Sequence, residues 1–382
     1  VKIAYAVPHP VTGAIRQRVL GLVRSIRAAR PDVEVTVLAP AIDLPAESAG
    51  TVTFRRVEVI PDGADAKDKV ARRVRLGTET VAELGRVRPD LVIIYGGGAL
   101  YMGRIQSWAR RVGCLVAADA VEWYDRSHLP GGRWGPFAID NELMMRRSLL
   151  ACDGVIAISQ FLASFVSRQS SASVVVIPPL LDVQAIAWEA GRGALQRLAY
   201  CGTPGRKDDL GVFIAALSAV DPDGRSFELV VAGPSEDDLL RLPGVTSIPD
   251  SVRTVGRLSS EDSLALVTSA TWAPLARPDK RFAHAGFPTK LVEALAAGTP
   301  PIANLTSDLG SYLKTGRNSL VMADSTLESA MVALDTARSL SEADIADMSG
   351  RARVTAEENF DFRAHAAHLD SWLGEMSSRG RA

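Results

Sequence analysis

Three cysteines are all that this 382-residue chain contains: Cys114, Cys152 and Cys201. They are scattered and odd in number, which excludes a disulfide framework and a metal knuckle. They fit small buried hydrophobes in a reducing compartment. Long apolar runs are missing too, and none reaches the roughly eighteen residues that span a bilayer. A strand is expected from the first residues, which leaves no room for a signal peptide. No low-complexity tract, three-glycine dinucleotide fingerprint, Walker loop or Gly-x-Ser-x-Gly elbow occurs. The missing fingerprint argues against a nicotinamide enzyme. His365 and His368 lie three apart near the end, but no third or fourth ligand accompanies them, so an ordinary helix surface is expected there.

A net charge of -1 conceals an imbalance. Residues 1–180 carry 23 Lys and Arg against 17 Asp and Glu, a balance of +6, and the remaining residues carry 20 against 27, or -7. A basic half suits an anionic membrane surface or an acidic acceptor. Equally, two unlike halves attract each other across a cleft.

With 47% hydrophobic and 23% charged residues, the chain can bury sizeable cores and reads as a globular protein of two or three domains. Apolar strands alternate with longer amphipathic stretches, the pattern of an α/β protein. Strands are expected at 3–7, 33–39, 53–60, 91–95, 114–118, 155–158 and 174–177, with helices at 14–29, 66–85, 99–111, 139–151 and 160–169. Runs such as LVIIY at 91–95 suit parallel strands covered on both faces. Pro178 and Pro179 close this half, and the pattern restarts. Strands are expected at 198–201, 228–232, 271–275, 300–304 and 319–322. Helices are expected at 210–219, 260–268, 327–337 and 342–358. The last amphipathic segment, 361–376, lies beyond the second sheet. Two facing Rossmann-like domains, 1–180 and 181–360, with a ligand cleft between them and a C-terminal helix over 361–382, are the expected organisation.

Residues 281–304, RFAHAGFPTKLVEALAAGTPPIAN, are the most informative stretch. Gly286 and Pro288 lead into an amphipathic helix that ends at Gly298. Free N–H groups at a helix start attract anions. Glu293 lies one turn beyond Thr289, on the same face. A diphosphate at the helix start and a ribose diol on Glu293 form the simplest ligand that uses both. An ordinary strand–loop–helix unit is the bland alternative.

Other segments carry weaker signals. Gly13 opens the first helix after the first strand, where backbone can approach a phosphate or sugar. The turn GTPGRKDD sets Arg206 and Lys207 before a helix start, suited to a diphosphate, with Asp208 and Asp209 read as cap and first-turn acids. The segment 121–136, VEWYDRSHLPGGRWGP, reads as a long irregular loop with Glu122, Asp125 and His128. Its aromatics suit sugar faces, its carboxylates suit hydroxyls, and His128 suits acid–base work. Packing at a domain interface would explain the same aromatics.

Taken in order along nearly the whole chain, these motifs resemble the family 4 glycosyltransferases of GT-B fold, in the version found in bacterial polysaccharide glycosyltransferases. The resemblance rests on the strand–Gly13 loop, the GTPGRK turn, VGRLSSEDSLALVTSA and GFPTKLVEALAAGTPPIANLTSDLGSYLKTGRNSLV. It implies an acceptor on the N-terminal domain and a nucleotide-sugar donor, commonly a uridine one, on the C-terminal domain. It implies transfer of a hexosyl-type sugar with retention, no cofactor and no obligatory metal. Glu293 then matches the carboxylate on the ribose hydroxyls, and Lys207 the lysine on the diphosphate. Gly256, Arg257 and Leu258 match the strand end lining the base. Gly286, Phe287, Pro288, Thr289 and Lys290 match the loop whose amides meet phosphate and sugar. Gly13 lies by the diphosphate, and His128 is the cleft histidine near the donor sugar. The family's first motif glutamate falls on Ala285, so its contact to the sugar is missing here. The arginine expected after the strand glycine is replaced by Thr203, and Arg206 offers its charge instead.

The expected activity is therefore transfer from a nucleotide sugar to a saccharide, lipid-linked or small-molecule acceptor, without nucleic-acid binding. A cytoplasmic setting follows, including the inner face of the membrane, which the basic N-terminal half suits. Two rivals are a nucleotide-sugar epimerase, for which no proton-abstracting set is found, and a non-catalytic sugar-nucleotide binder in a glycosylation complex, favoured by Ala285 and Thr203.

Overall fold

A computed structural model describes residues 1–43, 52–58, 75–188, 195–205 and 207–379. The chain divides into two compact units. One is Val1–Leu180 with Ala285–Phe287 and Phe362–Ala382; the other is Leu181–His284 with Pro288–Asp361.

The first unit is built on a seven-stranded sheet: β1 (Lys2–Ala6), β2 (Glu34–Ala39), β3 (Thr53–Arg56), β4 (Leu91–Tyr95), β5 (Leu115–Ala120), β6 (Gly154–Ala157) and β7 (Ser173–Val176). Every pairing is parallel, in the order β3-β2-β1-β4-β5-β6-β7. β1 therefore lies between β2 and β4, and the strand order reverses beside it, where ligands of such sheets collect. β4 is buried along four of its five residues, in keeping with its apolar run. Helices α1 (Gly13–Ala29), α2 (Thr78–Val87), α3 (Gly98–Val112), α4 (Pro136–Leu143) and α5 (Gln160–Ser167) connect the strands. On α1, Val19, Leu22, Val23 and Ile26 are buried as one stripe. The expected strand at 53–60 and helix at 66–85 lie partly outside the described residues.

The single helix expected at 139–151 is instead three pieces. α4 starts at Pro136, whose fixed φ suits a first helical position. A π turn, Met144–Ser148, and a 3₁₀ turn, Leu149–Ala151, then follow. The segment 121–136 is likewise not wholly irregular, because it contains 3₁₀ turns at Arg126–His128 and Gly132–Trp134.

The last helix, α14 (Ala366–Arg379), belongs to this first unit. Its Leu369, Trp372, Leu373 and Met376 join the core formed by β1, β2 and α1. Trp372 Nε1 donates to the Ser173 carbonyl at 3.0 Å. Gly154 has room only for hydrogen there: a Cβ would lie 2.5 Å from Met376 Sδ.

The second unit has two three-stranded parallel sheets. One is β10-β9-β8, from β8 (Gln196–Cys201), β9 (Phe227–Ala232) and β10 (Val252–Thr254). The other is β11-β12-β13, from β11 (Ala273–Leu275), β12 (Pro301–Asn304) and β13 (Leu320–Met322). A parallel bridge between Leu198 and Trp272 links them. Helices α6 (Leu210–Val220), α7 (Glu236–Leu240), α8 (Ser260–Thr268), α9 (Arg281–Ala285), α10 (Thr289–Ala296), α11 (Leu309–Tyr312), α12 (Leu327–Ser339) and α13 (Glu342–Asn359) complete the description. Side-chain caps explain several starts: Ser259 accepts from Asp262 N, and Ser235 and Ser341 head capping boxes with Asp238 and Asp344. α10 ends where Gly298 takes φ +64°, and a Cβ on Gly298 would collide with the Trp188 indole at 1.8 Å. Arg353 of α13 donates to the Ala296 carbonyl at 2.7 Å and to the Val183 and Ile186 carbonyls at 2.8 and 2.9 Å, fixing the end of α10.

Candidate active site

In the second unit the candidate residues lie at the carboxyl ends of the strands. Three glycines line that edge. Gly202 follows β8, Gly233 follows β9 and Gly256 follows β10, each with positive φ. Gly233 N donates to the Gly256 carbonyl at 2.7 Å, and a Cβ on Gly233 would lie 2.5 Å from the Gly202 carbonyl oxygen. A Cβ on Gly202 would meet Lys290 Nζ at 2.8 Å. At Gly202 and Gly233 the edge is bare backbone because neighbouring backbone and one lysine occupy the space, whereas at Gly256, with open space around it, the positive φ asks for glycine.

Lys290, on the first turn of α10, reaches back to this edge. Its ammonium pairs with the Asp208 carboxylate and donates to the Tyr200 hydroxyl at 2.8 Å. Tyr200 in turn donates to Asp208 at 3.1 Å. Arg277, nearly fully buried, faces the other Asp208 oxygen at 3.6 Å. Arg277 is held by Asn304 through a reciprocal pair: Arg277 N donates to Asn304 Oδ1, and Asn304 Nδ2 donates to the Arg277 carbonyl, each at 2.8 Å. Burial and the Asp208 charge push the Tyr200 hydroxyl far up, so it stays a neutral donor.

This corrects the reading of Asp208 as a cap acid. Its side chain is 11% exposed and faces two cations. Tertiary pairing over 82 residues overrides its local cap propensity. Asp209 holds the position before α6 without a side-chain cap bond.

Glu293 lies one turn along α10 from Lys290, next to a cavity of about 20 Å³ lined also by Tyr200, Cys201 and Leu275. That volume holds about one water, so a nucleotide does not fit inside it. Burial pushes the Glu293 carboxyl up to about 7, against the opposing pull of Lys290. The Cys201 thiol is raised to about 11, chiefly by burial and then by Glu293, and is no nucleophile at neutral pH.

Lys290 and Glu293 are thus brought to the β8 edge, while Pro288 and Thr289 stand at the start of α10. Gly256 and Arg257 are exposed after β10, and Leu258 is half-buried. Lys207 is half-buried in the loop closed by Gly205 N donating to the Asp208 carbonyl at 2.8 Å. Arg206 lies outside the described residues. Gly286 and Phe287 group with the first unit, beside the fully buried Ala285, whose carbonyl accepts from Ser159 Oγ at 2.8 Å.

In the first unit, Gly13 has φ +51° and open space around its Cβ direction, so the backbone angle and not crowding demands glycine. His128 ends the 3₁₀ turn Arg126–His128. One Asp125 oxygen caps that turn, accepting from Ser127 N and Oγ at 2.8 and 2.6 Å. Glu122 lies next to Tyr124, whose hydroxyl is pushed upward by burial and by that carboxylate. Trp123 is no sugar platform: it is buried, donates to Glu142 at 3.0 Å and meets Phe165 edge-on at 4.7 Å. Below the sheet's carboxyl edge, Arg18 binds Asp119 through Nε and Nη2, and its Nη1 donates to the Ile177 and Pro178 carbonyls at 2.6 and 2.8 Å.

Sequence reasoning missed Tyr200, Asp208, Arg277, Asn304 and Gly233. One signal was available: Lys290 sits within an apolar helix pattern, and a lysine there needs a buried carboxylate. A concavity of about 630 Å³ at the amino ends of β4 and β5, lined by Arg88, Asp90, Trp108 and Cys114, lies away from both sets. Burial raises the Cys114 thiol to about 12. Among the described residues, no group of three His, Cys, Asp or Glu is arranged to hold a metal. No helix among them is long and apolar enough to cross a membrane.

Two parallel α/β units are the architecture of GT-B proteins, and the fold matches solved members of that class. A sucrose-phosphate synthase from Thermosynechococcus elongatus shares the fold at a TM-score of 0.73 and 15% identity, over 99% of each chain. A glycosyltransferase from Rickettsia africae does so at 0.70 and 12%, over 98% of each. Anabaena HepE, solved in complex with UDP-glucose, does so at 0.67 and 14%, over 97% of this chain and 99% of that one. Residues 17–185 match the model of Glycosyltransferase Family 4, and residues 196–336 match that of Glycosyl transferases group 1. The chain belongs to this family of glycosyltransferases. No curated protein sequence matches it.

Proposed function

We propose that this glycosyltransferase moves a hexosyl-type sugar from a uridine diphosphate sugar to a hydroxyl acceptor with retention and without an obligatory metal. The setting is polysaccharide or glycoconjugate synthesis at the cytoplasmic face of a membrane. The observation that carries the reading is Lys290, paired with Asp208 and set one turn from Glu293 at a glycine-lined edge. The UDP-glucose bound to HepE supports the choice of base.

Glu293 accepts from the ribose hydroxyls, and the bare edge at Gly202 and Gly256 admits the nucleotide close to backbone. A diphosphate arriving beside Lys290 shares its ammonium with Asp208, whose charge Arg277 continues to face. As the bond from C1 to the phosphate oxygen breaks, negative charge gathers on the diphosphate. Lys290, Lys207 and the amides at the start of α10 stabilise it as preorganised charges, and Arg206 adds a further positive charge to that segment of the sequence. These cations supply the neutralisation that a metal supplies elsewhere. The acceptor hydroxyl, held by Glu122, Asp125 and His128, attacks from the leaving-group face, and its proton passes to the departing phosphate oxygen. A second reading, a sugar-nucleotide binder without transfer, is favoured by Ala285 and Thr203.

A thermal-shift panel of UDP, GDP, ADP, dTDP and their sugars tests the donor, because a ligand that binds only the native state raises Tm. A shift confined to the uridine compounds is expected, and no shift with any of them overturns the reading. Lys207→Ala is expected to cut turnover roughly 100-fold with Tm unchanged; near-normal turnover removes Lys207 from the site. Proton NMR of the product anomer checks retention.

A further inference from the structure

Between β5 and β6 the first unit exposes apolar side chains that a water-facing surface does not normally display. Trp134 is 79% exposed, Ile139 53% and Leu143 43%. Ile139 and Leu143 are four apart on α4 and share its outer face, while Ala138, Asn141 and Glu142 turn inward. Leu100, 56% exposed, stands beside them, since the neighbouring Ala99 N donates to Asp140 Oδ1 at 3.0 Å.

The charges around this face are mostly basic. Residues 126–147 hold four arginines, Arg126, Arg133, Arg146 and Arg147, against two acids, Asp140 and Glu142. Asp140 receives the Ala99 amide, and Glu142 is buried under Arg126 and Arg146. Arg133 and Arg147 stand exposed, without an ion pair among the described residues. Arg133 adjoins Trp134, and Arg147 lies four residues beyond Leu143.

We propose that this face docks on an anionic lipid leaflet, with Trp134, Ile139 and Leu143 entering the headgroup–acyl boundary and Arg133 and Arg147 meeting lipid phosphates. An exposed indole beside aliphatic residues and unpaired arginines is the composition of an interfacial element. The charge complementarity selects this occupant: a second copy of the chain would bring the same arginines against themselves. The face belongs to the same β5–β6 connection as Glu122, Asp125 and His128. Docking would therefore present lipid-linked acceptors to those residues, a consequence that rests on the transferase reading above.

The test is sedimentation of the full chain with vesicles of phosphatidylcholine and phosphatidylglycerol in equal parts, and with phosphatidylcholine alone. The chain is expected to pellet with the mixed vesicles and to be released by salt. Trp134→Ser/Ile139→Ser/Leu143→Ser is expected to weaken that binding at least tenfold, and Arg133→Gln/Arg147→Gln to remove the preference for phosphatidylglycerol. Both variants should keep the uridine-nucleotide Tm shift, which also reports folding. Wild-type protein that stays in the supernatant, or a triple variant that pellets equally well, overturns the proposal. So does a concentration-dependent dimer, seen by light scattering, that the triple variant abolishes. Vesicle binding with no nucleotide shift in the wild type would instead remove the donor reading and leave the docking surface standing.

Discussion

The two units place very different ion pairs at the carboxyl ends of similar parallel sheets. In the first, Arg18 and Asp119 have side chains 3% and 0% exposed. Asp119 also receives the Tyr5 hydroxyl, and the guanidinium is spent on carboxylate and carbonyl oxygens. In the second, Lys290 and Asp208 are 31% and 11% exposed, and the aspartate has a second cation in Arg277. A fork-shaped arginine with every partner fixed makes a foundation, whereas a compact ammonium with a shared partner can change anions. On the transferase reading, the difference separates a pair that holds the fold from a pair that would handle ligand.

The largest expected effect breaks the first pair. Arg18→Ala leaves Asp119 buried without its cation and should cost about 3–5 kcal/mol in urea unfolding. If the cost is under about 1 kcal/mol, the contrast between the pairs is wrong. Lys290→Ala should invert the balance: turnover falls about 100-fold while stability falls by only about 1–2 kcal/mol, because Arg277 still faces Asp208. Equal losses from both variants would dissolve the distinction.

The smallest effect concerns Glu293. Its folded carboxyl holds the proton more tightly than the unfolded chain, with a value of about 7 against 4.5. Its cost to stability is therefore absent below about 4.5 and grows as pH rises towards 7. Glu293→Gln should gain about 1–2 kcal/mol above pH 7 and nothing at pH 4. Wild-type affinity for a uridine nucleotide should rise through that same window as the carboxylate forms, and the glutamine variant should be flat and weaker. A pH-independent wild type, by calorimetric titration, would separate Glu293 from the ribose.

Much of the architecture was legible because it is written locally. The run LVIIY gave β4 its bounds, and Ser259 with Asp262 fixed the start of α8. Short elements escaped: α7, α9 and α11 have four or five residues, too few for a helical period. The site was legible as a segment around Glu293 but not as a constellation. Asp208 looks like a cap in its own neighbourhood, and only the fold brings Lys290 to it. Trp123 and Trp134 are eleven residues apart in one aromatic stretch, yet one is core and the other surface, a distinction that composition does not encode.

The first unit is closed by the chain's last helix. Residues 1–180 leave the ribosome long before residues 366–379 do, so for most of synthesis the core beside β7 lacks Trp372, Leu373 and Met376. The second unit, contiguous apart from three residues, can complete its own core first. The second unit can thus be assembled before the first is sealed, and a ribosome that stops short of α14 releases a chain with its apolar seam open to chaperones and proteases.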